Sequence, residues 1–440
     1  MSVADSSEEV CDGYRPPLQQ TMIIRARIVV TMDGPPVENG AIVISGNRVV
    51  DVGKFPEISA RHSSRKIVDL GKRALLPGLI NAHCHLDYTC LRGQIRPKKS
   101  FADWIRAINS AKANLSPEDY IASVNEGFAE AARFGTTTIV NLCAFPELVA
   151  QIDEPIRAWW FGELIDVRGS DRANEIVDLA VRSLKPKQNW GLAPHALFTA
   201  SPNLFRHCEE IARRGNILLT THLAESYEEF LMFCEASGPL YEFLKEIGRD
   251  MSDCGRRTPL AIFLGASGGS TRESFRSRAQ TNWIVAHLNE LAESDWDLLA
   301  TSTEVAGGGS TAKFALVHCP RSHKYFGHSP FQFEKFRERG FNICLGTDSL
   351  ASNVDLNLFA EMRQFQKTFL KISAAEILSM ATVNPGRALR QETRLGKIRF
   401  GFYADLISVP CASSSNVFEE IIAFDQPVDW SMIDGQVRSR

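Results

Sequence analysis

Eight short apolar runs, separated by helical patterns, constrain the fold of this 440-residue chain more than any other feature. The runs are rich in β-branched and aromatic residues, as buried strands are. Strands that alternate with helices indicate a parallel sheet, and eight repeats favour a closed (β/α)8 TIM-type barrel. The runs lie at residues 79–83, 136–143, 156–166, 189–196, 216–226, 282–290, 313–320 and 341–349. The helical patterns include residues 117–135, 170–184, 331–340 and 355–370.

The two ends of the chain have a different pattern. Short β-rich runs with Gly and Pro turns occupy residues 22–53 and return at 397–440. We therefore predict a small β-sandwich domain assembled from both termini, with the barrel between its two parts. The predicted division is a flexible tail at 1–20, the composite β-sandwich at 21–76 and 394–440, and the barrel at 77–393.

The composition excludes several classes of protein. Hydrophobic residues make up 44% and charged residues 23%, with a formal net charge of −3, so no basic surface for nucleic acid is expected. No apolar stretch approaches the roughly 18 residues of a membrane span, and residues 1–20 lack the features of a secretory signal. The 10 cysteines form no CxxC pair, which suits free thiols. We expect a cytoplasmic protein that acts on a small molecule, without nucleic acid or membrane partners.

Two histidines end the first barrel strand. His83 and His85 are separated by one residue, Cys84, so an extended chain presents both imidazoles on one face. Two imidazoles on one face form half of a transition-metal site. The alternative is a pair of hydrogen-bonded histidines with a structural role.

Further polar residues end other predicted strands. His195, His222, His287 and Asp348 follow the fourth, fifth, sixth and eighth strands, and Glu225 comes three residues after His222. Each of these alone also fits a structural role. A buried carboxylate is costly unless it is paired or binds a cation. Catalytic residues of a barrel lie at the carboxyl ends of its strands, so the group predicts a single site.

A family resemblance rests on these segments. They read PGLINAHCH (77–85), PHALFTAS (194–201), HLAES (222–226), AH (286–287) and GTDSLASN (346–353). The combination resembles the amidohydrolase superfamily and its cytosine/adenosine deaminase-like branch. That branch includes methylthioadenosine/S-adenosylhomocysteine, guanine and aminofutalosine deaminases and triazine chlorohydrolases. The segment LGKIRFGFYADLISV (395–409) also resembles the return of this branch to its small domain.

The resemblance implies a metal site and a ligand set. His83, His85, His222 and Asp348 would bind one divalent ion, with zinc the first choice and ferrous iron the second. Dinuclear members of the superfamily have a bridging lysine at the fourth strand, and no lysine occupies that strand here. We therefore expect a mononuclear site.

The resemblance also implies a reaction. A metal-bound hydroxide would attack an amino-substituted nitrogen heterocycle or nucleoside-like compound and release ammonia. Asp348 would accept a proton, His287 would polarise the hydroxide, and Glu225 would protonate the ring and the leaving amine. The alternatives are hydrolysis of another C–N or C–Cl bond in a heterocycle and, third, a non-catalytic scaffold.

Substrate contacts are expected from His195, Trp104 and His323. The family motif HNPxSN reads HCPRSH here, with His323 in place of an asparagine and His328 soon after it. Nucleoside-type members have a ribose-binding glutamate after the first strand. Residues 104–119 offer Lys112 or Asn114 near that point but no glutamate before Glu118. The Gly-, Ser- and Arg-rich stretch 253–281 predicts a loop over the barrel mouth, either solvated or presenting a cation to an acidic substrate group. A homodimer is what the resemblance suggests.

Overall fold

The computed structural model describes residues 21–63, 65–265, 283–301 and 314–439. The predicted tail at 1–20 and residues 266–281 of the predicted loop lie outside this part of the chain. The strands, in chain order, are β1 (Thr21–Val29), β2 (Val37–Ser45), β3 (Arg48–Lys54), β4 (Lys66–Asp69), β5 (Arg73–Pro77), β6 (Leu79–His85), β7 (Thr136–Cys143), β8 (Arg157–Leu164), β9 (Trp190–Pro194), β10 (Leu218–Leu223), β11 (Trp283–His287), β12 (Ala315–His318), β13 (Ile343–Leu345), β14 (Asp348–Ser349), β15 (Leu406–Pro410), β16 (Trp430–Ile433) and β17 (Gln436–Ser439).

The helices of the described residues fill most connections between these strands. The α-helices are α1 (Phe55–Arg61), α2 (Phe101–Lys112), α3 (Pro117–Arg133), α4 (Ala173–Leu184), α5 (Pro202–Gly215), α6 (Tyr227–Glu235), α7 (Pro239–Glu246), α8 (Pro259–Gly265), α9 (Glu293–Thr301), α10 (Pro320–Phe326), α11 (Phe333–Glu338), α12 (Leu358–Thr368), α13 (Ala374–Met380), α14 (Val383–Ala388) and α15 (Val417–Ala423). Short 3-10 helices are Leu86–Leu91, Pro146–Gln151 and Ser170–Arg172. None of the described helices is long and apolar enough to cross a bilayer.

The larger sheet is parallel and contains β6 to β14. Strands β6 to β13 follow one another in chain order, and β14 pairs with β6 at the other end of the path. Because β13 and β14 are two parts of the eighth predicted strand, this interrupted strand lies between β12 and β6. The predicted parallel α/β barrel is confirmed.

The smaller sheet combines both ends of the described chain. Its order is β17-β16-β15-β5-β1-β2-β3, and β4 also pairs with β1. Strand β15 pairs with β5 over five residue pairs, which joins the C-terminal segment to the N-terminal one. The expected β-rich unit at the termini is therefore present, while the domain boundaries at 76 and 394 stay a prediction.

Close approach of the eighth strand to the first depends on a glycine. A Cβ added at Gly346 would lie 2.8 Å from the carbonyl oxygen of His83. The backbone N–H of Thr347 donates to that oxygen at 3.1 Å, and Asn81 donates through its side chain to the Thr347 hydroxyl at 2.8 Å. This contact places Asp348 beside the two histidines of β6.

Candidate active site

Three imidazoles converge at the carboxyl ends of β6 and β10. Nε2 of His85 lies 3.1 Å from Nε2 of His222, and the ring centroid of His83 is 4.9 Å from that of His222. One nitrogen from each of the three lies within 4.8 Å of the others. The side chain of Cys84 instead bonds the Val140 carbonyl at 3.3 Å, as the alternation of a strand predicts.

Asp348 brings a carboxylate to the same point. Its Oδ1 lies 3.8 Å from Nε2 of both His83 and His85. The carboxylate accepts hydrogen bonds from the Ser349 N–H at 2.8 Å and from the Ser322 hydroxyl at 2.6 Å. The structure therefore brings together all four residues that the sequence predicts as metal ligands.

These four side chains fit a divalent cation. The His83 side chain is 0% exposed, yet neither of its ring nitrogens has a hydrogen-bond partner among the described residues. Burial lowers the pKa of His83 and of His85 well below the usual value, so both are neutral, which is the ligating form. Three imidazole nitrogens and one carboxylate oxygen form a donor set that zinc or ferrous iron accepts.

Polar groups lie behind two of the predicted ligands. Nδ1 of His222 lies 2.9 Å from the carbonyl oxygen of His195, so this nitrogen donates and Nε2 faces the other imidazoles. Behind His85 the contact is longer than a hydrogen bond, with Nδ1 3.5 Å from Oε1 of Glu163 near the end of β8. Partners of this kind fix the tautomer and ring orientation of a ligating histidine.

Glu225 and His287 lie beside Asp348. One ligand atom from each of the three lies within 4.8 Å of the others, and Nε2 of His287 is 3.7 Å from Oε1 of Glu225. Burial raises the pKa of Glu225 to about 8, against which the nearby charge of His222 acts. A carboxyl group with this pKa holds a proton at neutral pH and can donate it.

The backbone at Glu225 is fixed by its neighbours. The buried carboxylate of Glu229 accepts hydrogen bonds from the N–H groups of Ala224 at 3.1 Å and Glu225 at 2.8 Å. The Asn289 side chain donates to the Glu225 carbonyl at 2.9 Å. Ala224 and His287 have left-handed φ angles of 47° and 74°, as Asp348 does at 58°. Such strained positions in non-glycine residues cluster at functional sites.

A cavity of about 510 Å³ opens above this centre. One end is polar and contains the carboxylates and imidazoles, while the walls are mostly aromatic and aliphatic and also include Arg106, Lys112 and Arg168. The lining includes His85, His195, His222, Glu163, Glu225, His287, Asp348, Tyr88, Phe101, Trp104, Ile105, Ile108, Phe198, Phe243, Leu244 and Lys112. A largely apolar cleft with a few convergent polar groups is the usual form of a small-molecule site.

The predicted substrate contacts have different positions. His195 and Trp104 line the cavity, whereas His323 does not, because its Nδ1 atom faces the Asn289 side-chain oxygen at 3.2 Å. Arg256 and Arg257, from the predicted loop at 253–281, line a separate surface pocket. The other arginines of the predicted loop, Arg272, Arg276 and Arg278, lie outside the described residues.

Sequence reasoning missed Glu163 and gave Lys112 no role in the cavity. Glu163 ends the third barrel strand, and a polar residue at that position was a usable signal of the same kind as His222 or Asp348. Lys112 lies on α2, where its ammonium donates to the Tyr88 hydroxyl at 2.9 Å, and only the fold brings this helix over the cavity.

The comparisons with known proteins agree with this geometry. The profile of the amidohydrolase family matches residues 74–438, most of the chain. The chain belongs to the amidohydrolase family. The 5-methylthioadenosine/S-adenosylhomocysteine deaminase of Pyrococcus furiosus is 27% identical over 402 residues, which cover 88% of this chain and 85% of the relative. The resemblance seen in the sequence motifs is thereby confirmed.

Solved structures of the family share the fold. The crystal structure of Helicobacter pylori aminofutalosine deaminase with methylthio-coformycin has a TM-score of 0.82 at 19% identity, covering 95% of this chain and 100% of its own. An adenosine deaminase from Xanthomonas campestris with bound zinc has a TM-score of 0.73 at 23% identity, covering 95% and 92%. Both show that the chain shares the fold of these structures over nearly its whole length.

Proposed function

We propose that this amidohydrolase is a metal-dependent aminohydrolase that deaminates an amino-substituted nitrogen heterocycle or a nucleoside-like compound. In this reaction water adds to the ring carbon, the bond from that carbon to its exocyclic nitrogen breaks, and the products are the oxo compound and ammonia. The observation that carries the proposal is the convergence of His83, His85 and His222 with Asp348, next to the buried carboxyl group of Glu225.

His83, His85, His222 and Asp348 would hold one divalent ion, which we propose to be zinc. When bound there, such an ion lowers the pKa of a water molecule towards about 7 and so supplies hydroxide at neutral pH. The zinc in the Xanthomonas neighbour supports this choice, and ferrous iron is the other ion that suits the ligands. The fourth strand ends at Pro194 without a lysine, which favours a single ion.

The remaining residues of the centre handle protons. Asp348 accepts the proton of the attacking water, and the buried imidazole of His287 directs that water towards the ring carbon. Glu225 protonates a ring nitrogen, takes up the proton of the added hydroxyl group and delivers it to the departing amine. The proton held by Asp348 then restores the Glu225 carboxyl group. A positioned acid of this kind contributes roughly 10²–10⁴ in rate.

The cavity supports a flat, largely apolar substrate. Phe101, Trp104 and Phe198 are among its aromatic walls. The carboxylates that line it, Glu163, Glu225 and Asp348, all belong to the polar end, so among the described residues none faces a ribose further out. We therefore favour a heterocycle over a simple adenosine-like nucleoside, although the relatives named above include nucleoside deaminases.

An ammonia-release screen tests this proposal. The zinc-loaded protein is incubated with aminopurines, aminopyrimidines, nucleosides and aminofutalosine, and ammonia and the oxo product are measured together. We expect stoichiometric ammonia from at least one compound and none from the chelator-treated protein. Ammonia that forms equally well after removal of the metal would overturn the proposal.

The second candidate reaction is hydrolysis of a different C–N or C–Cl bond in a heterocycle. A triazine hydrolase variant with a TM-score of 0.75 at 18% identity, covering 95% of this chain and 94% of its own, shares the fold that supports this chemistry. Chloro- and alkylamino-triazines in the same screen separate the two reactions, since the products are chloride or an alkylamine instead of ammonia. A non-catalytic scaffold would release none of them and need not hold one ion per chain.

The proposed location is the cytoplasm. The nine described cysteines are free thiols, and most of them, including Cys84 beside the metal ligands, are buried. A reducing compartment suits this arrangement. The homodimer stays a prediction from the family resemblance.

A further inference from the structure

His328 is a buried imidazole that the proposed reaction does not use. Its side chain is 6% exposed, and its Nε2 atom has no hydrogen-bond partner among the residues that the structure describes. A buried polar atom without a partner costs free energy. In native proteins nearly all buried polar atoms have a hydrogen-bond partner. The unpartnered Nε2 atom of His328 therefore points to a role in the adjacent site.

The Nε2 atom of His328 faces the carboxyl group of Glu225. It lies 3.9 Å from Oε1, and Nε2 of His287 reaches the same oxygen at 3.7 Å. The Nε2 atom of His328 and Oε1 of Glu225 face each other at a distance longer than a hydrogen bond. Catalytic hydrogen bonds are commonly long before substrate binds and shorten in the complex.

The segment that follows β11 holds the two partners in place. Glu290 accepts a hydrogen bond from the Ser329 N–H at 3.2 Å, next to His328. The adjacent Asn289 donates to the Glu225 carbonyl at 2.9 Å. One short segment thus fixes both the loop that contains Glu225 and the loop that contains His328.

Aromatic packing separates His328 from the substrate. Its ring stacks on Phe326 at 5.1 Å and lies 6.1 Å from Phe101, which lines the cavity, whereas His328 does not. Burial lowers the pKa of His328 to about 4, so the imidazole is neutral and donates a single N–H when it faces Glu225. Its effect on the substrate is therefore exerted through Glu225.

We propose that His328 is a positioning residue that donates an Nε2–H hydrogen bond to Oε1 of Glu225. This bond leaves Oε2 of Glu225 to carry the proton towards the substrate. The inference rests on the proposed function, because it assigns His328 to the proton carrier of that reaction. Since the proton is delivered from Oε2 and the His328 N–H stays on the imidazole, His328 gains and loses no proton over the cycle.

Three variants separate hydrogen bonding from packing. His328→Phe keeps a stacked ring without a donor, His328→Gln offers an amide N–H in place of the imidazole N–H, and Phe326→Leu alters the stack while keeping the imidazole. On a substrate that the wild type deaminates, we expect His328→Phe to lower kcat about 10- to 100-fold with little change in KM, the effect of losing one strong hydrogen bond. His328→Gln should recover most of the lost kcat, and Phe326→Leu should have a kcat close to that of the wild type.

Equal losses in His328→Phe and His328→Gln, or an unchanged kcat in His328→Phe, would overturn the proposal. Metal content is measured in each variant first, so that a lost ion is not mistaken for a lost hydrogen bond.

An infrared measurement tests the same bond without turnover. The difference spectrum between the wild type and Glu225→Gln isolates the C=O band of the protonated Glu225 carboxyl group. We expect His328→Phe to shift this band to higher frequency and His328→Gln to leave it near its wild-type position. An unshifted band in His328→Phe would contradict the proposal. If the wild type releases no ammonia from any compound, the proposed function fails, while this band still decides whether His328 bonds Glu225.

Discussion

Nδ1 of His85 lies 3.5 Å from Oε1 of Glu163, a buried oxygen without a hydrogen-bond partner in the described part of the chain. The same oxygen is 3.9 Å from Nε2 of His195. The Glu163 carboxylate therefore lies between His85, a proposed metal ligand, and His195, which lines the substrate cavity. A carboxylate behind a ligating imidazole fixes its tautomer and raises its basicity.

Glu163→Leu is expected to weaken metal binding about 10- to 100-fold, because His85 loses the carboxylate that lies behind its Nδ1 atom. The matched variant Glu163→Gln keeps an acceptor oxygen, so its zinc affinity should fall less. Zinc affinity, measured by competition with a chromogenic chelator, checks this without a substrate. Equal affinity in the wild type and Glu163→Leu would show that Glu163 does not support His85.

His222→Ala is expected to abolish stoichiometric zinc. The imidazole supplies one of three nitrogens, and its loss leaves His83 and His85 without the partner on β10. Elemental analysis of the purified variant measures the bound metal, and circular dichroism checks that it is folded. As a control, His207→Ala removes an imidazole that faces the Asp178 carboxylate at 3.4 Å, away from the site, and should keep its metal. Full occupancy in His222→Ala would show that the ligand set is wrong.

Glu225→Gln is expected to keep zinc and to lose at least about two orders of magnitude in kcat, since the amide cannot donate the acidic proton. Glu235→Gln is the matched control. Glu235 is an exposed carboxylate at the end of α6, outside the proton path. Near-normal turnover by Glu225→Gln would remove this residue from the mechanism.

The pH dependence of turnover should report the same group. Glu225 donates only in its protonated form, and burial raises its pKa to about 8. A bound cation favours the carboxylate, so the midpoint lies at or below this value. We therefore expect kcat to fall as pH rises through the midpoint, measured with zinc saturating at every pH. A kcat that keeps rising above pH 8 would contradict the assignment.

The sequence predicted much of the barrel and of the metal centre, for identifiable reasons. A barrel turns the ends of separate strands towards one axis, so polar residues at strand ends converge whatever their distance in the chain. His83, His222 and Asp348 were recognisable because they interrupt apolar runs. The convergence of the four proposed ligands and Glu225 therefore followed from the strand ends, whereas their roles came from the family resemblance.

The rest depended on packing that a linear pattern does not encode. His323 appeared suited to the substrate mouth, yet its ring faces Asn289 because α10 turns it away from the cavity. Lys112 reaches the cavity only because α2 lies over the barrel. The carboxylates of Glu228 and Glu229 resembled solvated loop charges, but both accept backbone hydrogen bonds that fix the site.

Gly346→Ala tests how closely the eighth strand must approach the first. The added Cβ would lie 2.8 Å from the His83 carbonyl oxygen and 2.9 Å from the His83 Cβ, so the backbone must move. Overpacking of this kind lowers the free energy of unfolding by about 1–3 kcal/mol. The shift also separates Asp348 from His83, so zinc affinity should fall in the same variant.

The matched substitution is Gly34→Ala, at a position where an added Cβ meets nothing within 4 Å. Urea unfolding of the metal-free proteins measures stability, and chelator competition measures affinity. We expect Gly34→Ala to match the wild type in stability and in zinc affinity. Gly346→Ala should have a lower free energy of unfolding and a lower zinc affinity. If Gly346→Ala were destabilised but bound zinc with wild-type affinity, the approach of β14 to β6 would matter for folding alone, and the proposed role of Asp348 as a ligand would be contradicted.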